Sequence, residues 1–157
     1  MKTLKLNTLV SIASIVSSVA LIVSIFILVR EYKRSDVMTE RTIENLVYNR
    51  IMEYDKLLIE YPDLAAIVSL ASSHPDSLST VDSMRYLAYE GIFYDSWETI
   101  WVGFQNGVVT EDTWNGWNDW FIATYKKKPK LSREGNLENW DEGFREYISS
   151  DLKAVEN

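Results

Sequence analysis

The chain has 157 residues and a net charge of −7, with 46% hydrophobic residues, six tryptophans and no cysteine. This composition is sufficient for one small hydrophobic core, and the lack of cysteine excludes disulfides, thiolate metal sites and a cysteine nucleophile. Residues 1–34 carry five basic and one acidic side chains, whereas residues 35–157 carry 11 basic and 22 acidic ones. Such an acidic body argues against broad, non-specific binding to nucleic acid.

Residues 9–29 are free of charge, glycine and proline. As a helix rising about 1.5 Å per residue, this stretch is about 31 Å long and matches the hydrocarbon core of a bilayer. A cleaved signal peptide is the alternative, but the apolar run continues well past the small-residue site "SVA". The sequence therefore predicts an uncleaved transmembrane anchor in the inner (cytoplasmic) membrane. The carboxyl-terminal domain is expected in the cytoplasm, because more basic residues follow the span than precede it.

Small and polar residues within the anchor follow a 4-3-4 spacing, which places each series on one side of a helix. Such seams allow close helix–helix contact and hydrogen bonds between hydroxyls, so we expect a homo-oligomer. One seam would line a path that is polar in its outer half and closed by apolar residues further in. The alternative is that the serines only bond to their own helix. The pore-lining or packing series is Asn7, Ser11, Ser14 and Ser18, continued inward by Ile25, and the packing seam is Ala13, Ser17, Ala20 and Ser24.

The chain after the anchor has no proline before Pro62 and no glycine before Gly91. One helix is therefore predicted from about residue 8 to residue 61, with a break at "RSD" as the alternative. Its later part carries an apolar stripe that we expect to dock on the following helices. The predicted organisation is an anchor over 1–30, a stalk helix over 31–61 and a helical cytoplasmic domain over 62–157.

Capping signals divide the remaining chain into further helices. A short helix begins at Pro62, a second runs from a Ser79 or Thr80 cap to about Gln105, and Gly107 ends it. Thr110 caps a third helix that ends near "KKKPK", and a last helix is expected over about 137–153. No sustained period-two alternation indicates a strand. The predicted fold is all-α.

Catalysis has little support in the sequence. His74 is the only histidine, lies in the loop "SSHPDS" and is expected to face solvent, so no metal cluster is predicted. Neither a nucleophile-elbow motif nor a Gly-rich phosphate loop occurs. The acidic residues near the glycine turn are best explained as solvated helix faces and caps; they are Glu90, Asp95, Glu98, Asp112 and Asp119. We therefore expect that the chain is not an enzyme and that it binds neither a metal ion nor a cofactor.

Two aromatic stripes and one basic patch remain. Trp97, Trp101 and Phe104 form one stripe, and a second is formed by Trp114, Trp117, Trp120 and Phe121. Such stripes are most often core, and a stacking surface for a base is the functional alternative. The basic patch is a solvated loop or an anion site for an oligonucleotide or anionic lipid. The predicted ligand-binding residues are Lys126, Lys127, Lys128, Lys130, Arg133, Trp120 and Tyr125.

The stretch "DSWETIWVGFQNGVVTEDTWNGWNDWF" resembles a largely uncharacterised family of small bacterial helical proteins, often anchored by one amino-terminal span. The resemblance extends to "KPKLSREGNLENWDEGF" and covers about residues 35–150. It implies architecture more than activity. The residues that carry it are Trp97, Glu98, Trp101, Gly107, Trp114 and Trp117, followed by Pro129, Trp140 and Phe144.

The general plan of a one-span anchor and a helical body also resembles the membrane effector subunit of Hailong-type antiviral defence. That resemblance implies a homotetrameric ion channel, regulated by an oligonucleotide that a nucleotidyltransferase partner makes. The sequence thus favours a homo-oligomeric membrane effector, a gated channel or pore in contact with the lipid bilayer. The alternative is a non-conducting, membrane-anchored interaction module.

Overall fold

All secondary structure in the described part of the chain is helical. The computed structural model describes the backbone of residues 2–135 and 140–155, and the side chains of residues 14, 16–135 and 140–150. Within these residues there is no strand, which confirms the all-α prediction. The helices are α1 (Lys2–Glu60), α2 (Pro62–Ser73), α3 (Thr80–Gln105), α4 (Glu111–Tyr125), α5 (Lys130–Glu134) and α6 (Glu142–Val155), with a 3₁₀ turn at Pro75–Ser77.

The helix ends follow the capping signals of the sequence. The Ser79 hydroxyl accepts a hydrogen bond from the Asp82 N–H at the start of α3. Gly107 adopts φ +69°, a left-handed conformation that favours glycine and ends the turn after α3. Thr110 caps α4 by accepting from the Thr113 N–H. The start expected for the last helix was wrong, because α6 begins at Glu142, and the short helix α5 was not predicted.

A second cap joins α4 to α1. The Glu40 carboxylate accepts hydrogen bonds from the Thr110 backbone N–H at 2.8 Å and from the Thr110 hydroxyl at 2.7 Å. These bonds, the one from the hydroxyl first, lower the pKa of Glu40 below its ordinary value. A side chain of α1 therefore neutralises the positive end of a helix that lies 70 residues later.

Contacts group the chain into two units, residues 1–39 and residues 40–157. The core of the second unit is mainly aromatic, and Trp97 lies at its centre, 1% exposed and stacked on Phe121 with ring centroids 5.5 Å apart. The Trp97 indole N–H donates to the Asn118 side-chain oxygen at 2.9 Å, which satisfies its buried donor. A smaller cluster lies between α2 and α3 and consists of Ile67, Ala71 and Tyr86.

The described part of the first unit is one helical segment, and its residues 16–29 carry exposed apolar side chains on every side. Exposed large apolar residues occur at positions 16, 19, 21–23 and 25–29, and five consecutive positions at 100° each go round the whole helix. Counted over the described residues alone, no helix is long and apolar enough to cross a membrane. The predicted span lies partly outside that set, because the side chains of residues 1–13 and 15 are not described.

Candidate functional site

The most unusual polar feature of the second unit is a buried ammonium site. The Lys128 Nζ lies 2.6 Å from Glu90 Oε2, and only 8% of the Lys128 side chain and 3% of the Glu90 side chain are exposed. The ammonium also donates to the Tyr54 hydroxyl at 2.8 Å. Its remaining surroundings are aromatic, since Nζ lies 4.2 Å from the centroid of the Phe93 ring and 5.1 Å from that of Tyr54. Cation–π attraction and an ion pair hold the same charge.

The hydroxyls around Glu90 form a directed chain of hydrogen bonds. Tyr54 donates to Glu90 Oε1 at 3.0 Å, and Ser132 donates to Oε2 at 2.7 Å. The single Ser132 hydrogen is thereby used, so the 3.1 Å contact with the Tyr94 hydroxyl has Tyr94 as its donor. Both carboxylate oxygens are satisfied, as a buried charge requires.

Burial shifts the pKa of the groups at this site. It lowers the pKa of Lys128 despite the opposing charge of Glu90. It raises the pKa of Tyr54 and of Tyr94 above their ordinary value, and the Glu90 charge adds to this rise. Tyr54 and Tyr94 therefore stay protonated at neutral pH and act as hydrogen-bond donors.

Three separate parts of the chain build the buried ammonium site. Tyr54 comes from α1, stacked on Tyr89 of α3 at a centroid distance of 4.1 Å. Glu90 lies on α3. Lys128 lies in the turn after α4, where its backbone N–H donates a hydrogen bond to the Tyr125 carbonyl oxygen at 2.9 Å. The site ties α1, α3 and the turn after α4 together, and its low exposure leaves no room for a substrate at the ammonium.

The predicted basic patch is divided by this arrangement. Lys126, Lys127 and Lys130 are exposed. The Lys130 Nζ lies 3.7 Å from Glu134 Oε2. Lys128 contributes no charge to this surface, because Glu90 and Tyr54 hold its ammonium inside. Arg133 is half-buried, with its guanidinium carbon 5.9 Å from the centroid of the Tyr125 ring.

The tryptophan stripes are largely core, as the sequence favours. Trp97 and Trp114 are buried, and Trp101 and Trp117 are half-buried against the core. Trp120 is the exception at 40% exposure. It lines a groove together with the carboxylate residues Glu44 and Asp112, whereas the predicted ligand residue Tyr125 is buried among Tyr94 and Trp97.

The serine seams of the anchor are only partly described. Ser14, Ser17, Ser18, Ala20, Ser24 and Ile25 are exposed on α1. The Ser18 hydroxyl donates to the Ser14 carbonyl at 2.9 Å and the Ser24 hydroxyl to the Ala20 carbonyl at 2.8 Å, which is the intrahelical alternative. The side chains of Asn7, Ser11 and Ala13 lie outside the described residues.

The acidic residues near the glycine turn have different environments. Glu90 is 2% exposed, so its interpretation as a solvated residue was wrong. Glu98 accepts a hydrogen bond from the Asp141 N–H at 2.6 Å, which fixes the start of α6. His74 is exposed as expected. Among the described residues, no group of three or more potential ligands could hold a metal ion.

Comparison with known proteins gives no relative. No family model, no curated protein and no solved structure matches this chain.

Proposed function

We propose that this chain is a single-pass membrane effector whose copies assemble through residues 9–29 into a gated ion channel, with residues 40–157 as the regulatory body. The observation that carries the proposal is the helical segment with exposed apolar side chains on all sides. A helix that is apolar all round is stable only when lipid or other chains cover it. The uncharged sequence stretch 9–29, about 31 Å long as a helix, matches the thickness of a bilayer core.

The charge distribution supports an orientation for this anchor. Arg30, Lys33 and Arg34 follow the apolar stretch directly, and the body beyond them is strongly acidic. Basic residues beside a span favour the cytoplasmic side and its anionic lipids. The body is therefore proposed to lie in the cytoplasm, at the inner membrane.

An anionic ligand is proposed as the regulator. Lys126, Lys127 and Lys130 are exposed and close in sequence within an otherwise acidic body. Such a patch attracts phosphates locally while the rest of the surface repels them. An oligonucleotide made by a nucleotidyltransferase partner is the ligand implied by the resemblance to antiviral membrane effectors.

The first experiment measures membrane depolarisation when the full-length chain is expressed. The matched variant replaces Ser11, Ser14 and Ser18 with leucine and is compared at equal protein level. We expect the wild type to depolarise the membrane and the variant not to, because leucine removes the polar lining while keeping the anchor. Equal depolarisation by both would refute a pore lined by these serines.

A non-conducting, membrane-anchored interaction module is the second candidate. The hydrogen bonds of Ser18 and Ser24 within their own helix favour it. Each of these hydroxyls donates its single hydrogen to a carbonyl of α1, so it cannot donate to a neighbouring helix. This candidate predicts normal function when residues 1–30 are replaced by an unrelated single-span anchor. A channel would lose its function in the same exchange.

A further inference from the structure

An open groove of about 490 Å³ lies on the second unit between α1 and α4. Its volume falls in the range of about 300–1,000 Å³ that small-molecule sites occupy. Three aromatic side chains and two carboxylates line it. The rings are Tyr48, Trp117 and Trp120, the carboxylates are Glu44 and Asp112, and Ile51 also lines the groove.

The groove is open to a ligand, and its two carboxylates form no salt bridge within the described residues. Tyr48 is 55% exposed and Trp120 is 40% exposed, although both are large side chains that a closed core would bury. Within the described part of the chain, Glu44 and Asp112 form no salt bridge with a basic residue. Two carboxylates beside aromatic faces repel anions and attract cations, because the face of an aromatic ring is its negative side.

The chemistry of the groove selects an ammonium group over a metal ion. A hard metal ion needs several oxygen ligands in close geometry, and the described residues provide no such group of three. An alkylammonium instead can pair with the carboxylates and contact the aromatic rings. The protein already holds one ammonium in this manner, since Lys128 lies between Glu90 and the rings of Phe93 and Tyr54.

We propose that this groove is a binding site for an aliphatic polyamine. A flexible chain with two or more ammonium groups can reach Glu44 and Asp112 while its methylene groups cover Tyr48, Trp117 and Trp120. A ligand with one charge would leave the second carboxylate unpaired. The site is independent of ion conduction and of the exposed basic patch, which takes ligands of the opposite charge.

The test is calorimetric titration of spermidine into the full-length chain in a neutral detergent. We expect binding by the wild type. Trp120→Ala should weaken it about two- to fivefold, the range expected for one exposed cation–π contact. The double variant Glu44→Gln/Asp112→Asn should weaken it about two- to thirtyfold, because two exposed ion pairs are lost.

The matched control is Glu53→Gln/Asp76→Asn, which changes the net charge equally. Both control residues are exposed and neither lines the groove. This variant should bind spermidine as the wild type does. Circular dichroism of each variant verifies that it is folded.

Three results would overturn the proposal. The first is no heat of binding for the wild type up to millimolar spermidine. The second is equal weakening in the control, which would reduce the effect to net charge. The third is full displacement of spermidine by Mg²⁺ at the same concentration, which would mean that the rings contribute nothing.

Discussion

Replacing Lys128 with methionine removes the buried ammonium while keeping a long, flexible side chain. Glu90 then loses its 2.6 Å contact in a place where only 3% of its side chain is exposed. Breaking a buried ion pair by removing one partner costs about 3–5 kcal/mol. We expect about 3 kcal/mol, at the low end of that range, because the hydroxyls of Tyr54 and Ser132 still donate to the remaining carboxylate.

Urea unfolding followed by tryptophan fluorescence measures this loss in the full chain in neutral detergent. All six tryptophans lie between residues 97 and 140, so the signal reports on the second unit. With a slope of about 2 kcal/mol per molar, a loss of about 3 kcal/mol lowers the midpoint by about 1.5 M. The control is Lys127→Met, because Lys127 is exposed; its free energy of unfolding should change by no more than about 0.5 kcal/mol.

A double-mutant cycle separates the ion pair from general disruption. Adding Glu90→Gln to Lys128→Met removes the unpaired charge, so the double variant should be more stable than the sum of both single losses predicts. A coupling of about 2 kcal/mol or more is expected for groups in direct contact. If Lys128→Met cost less than about 1 kcal/mol and the coupling were near zero, the ion pair of Lys128 with Glu90 would not stabilise the fold.

Two further predictions concern pH and the shape of the core. Burial raises the pKa of Tyr94 above its ordinary value of 10.0, so above about pH 10 the unfolded chain releases a proton that the folded chain keeps. The contribution of Tyr94 to the free energy of unfolding is therefore fully present below pH 10. Above pH 10 it declines by about 1.4 kcal/mol per pH unit. Lys128 has the opposite effect, because burial lowers its pKa below the ordinary value of 10.5. Its contribution to the free energy of unfolding therefore rises with pH below pH 10.5. Tyr94→Phe should give a shallower decline in urea midpoints between pH 9 and 11.5, and an unchanged slope would contradict this. For the core, Gly103→Ala would place a Cβ 2.7 Å from a methyl group of Val109 and should cost about 1–3 kcal/mol. Gly91→Ala on the same helix meets nothing within 4 Å and should stabilise by about 0.5–1 kcal/mol. Thermal melts that shift in the same direction for both alanine variants would contradict the described contact.

The starts of α2, α3 and α4 were predictable because their signals are local. Ser79 and Thr110 cap the helices that directly follow them, and Gly107 ends a helix at its own position. The short helix α5 was missed because five residues do not make a visible periodic pattern. These successes and failures both follow from interactions within a few residues of the chain.

The buried ammonium site was not predictable from local pattern in the same way. Lys128 and Tyr54 are 74 residues apart, and nothing in "KKKPK" distinguishes the buried lysine from its exposed neighbours. The burial of Glu90 did have a sequence signal. It lies three or four residues from three aromatic residues, which places all four side chains on the same side of α3; these are Tyr86, Phe93 and Tyr94. A carboxylate within an aromatic face is expected to be buried and paired.

The distance along the chain between Glu40 and Thr110 has a consequence in time. During synthesis, the part of α1 that belongs to the second unit waits for the 70 residues that separate it from its partner. At about 5–20 residues per second, that wait lasts about 4–14 seconds. Residues 9–29 leave the ribosome before this period ends, so in the proposed topology the anchor reaches the bilayer before the body can fold.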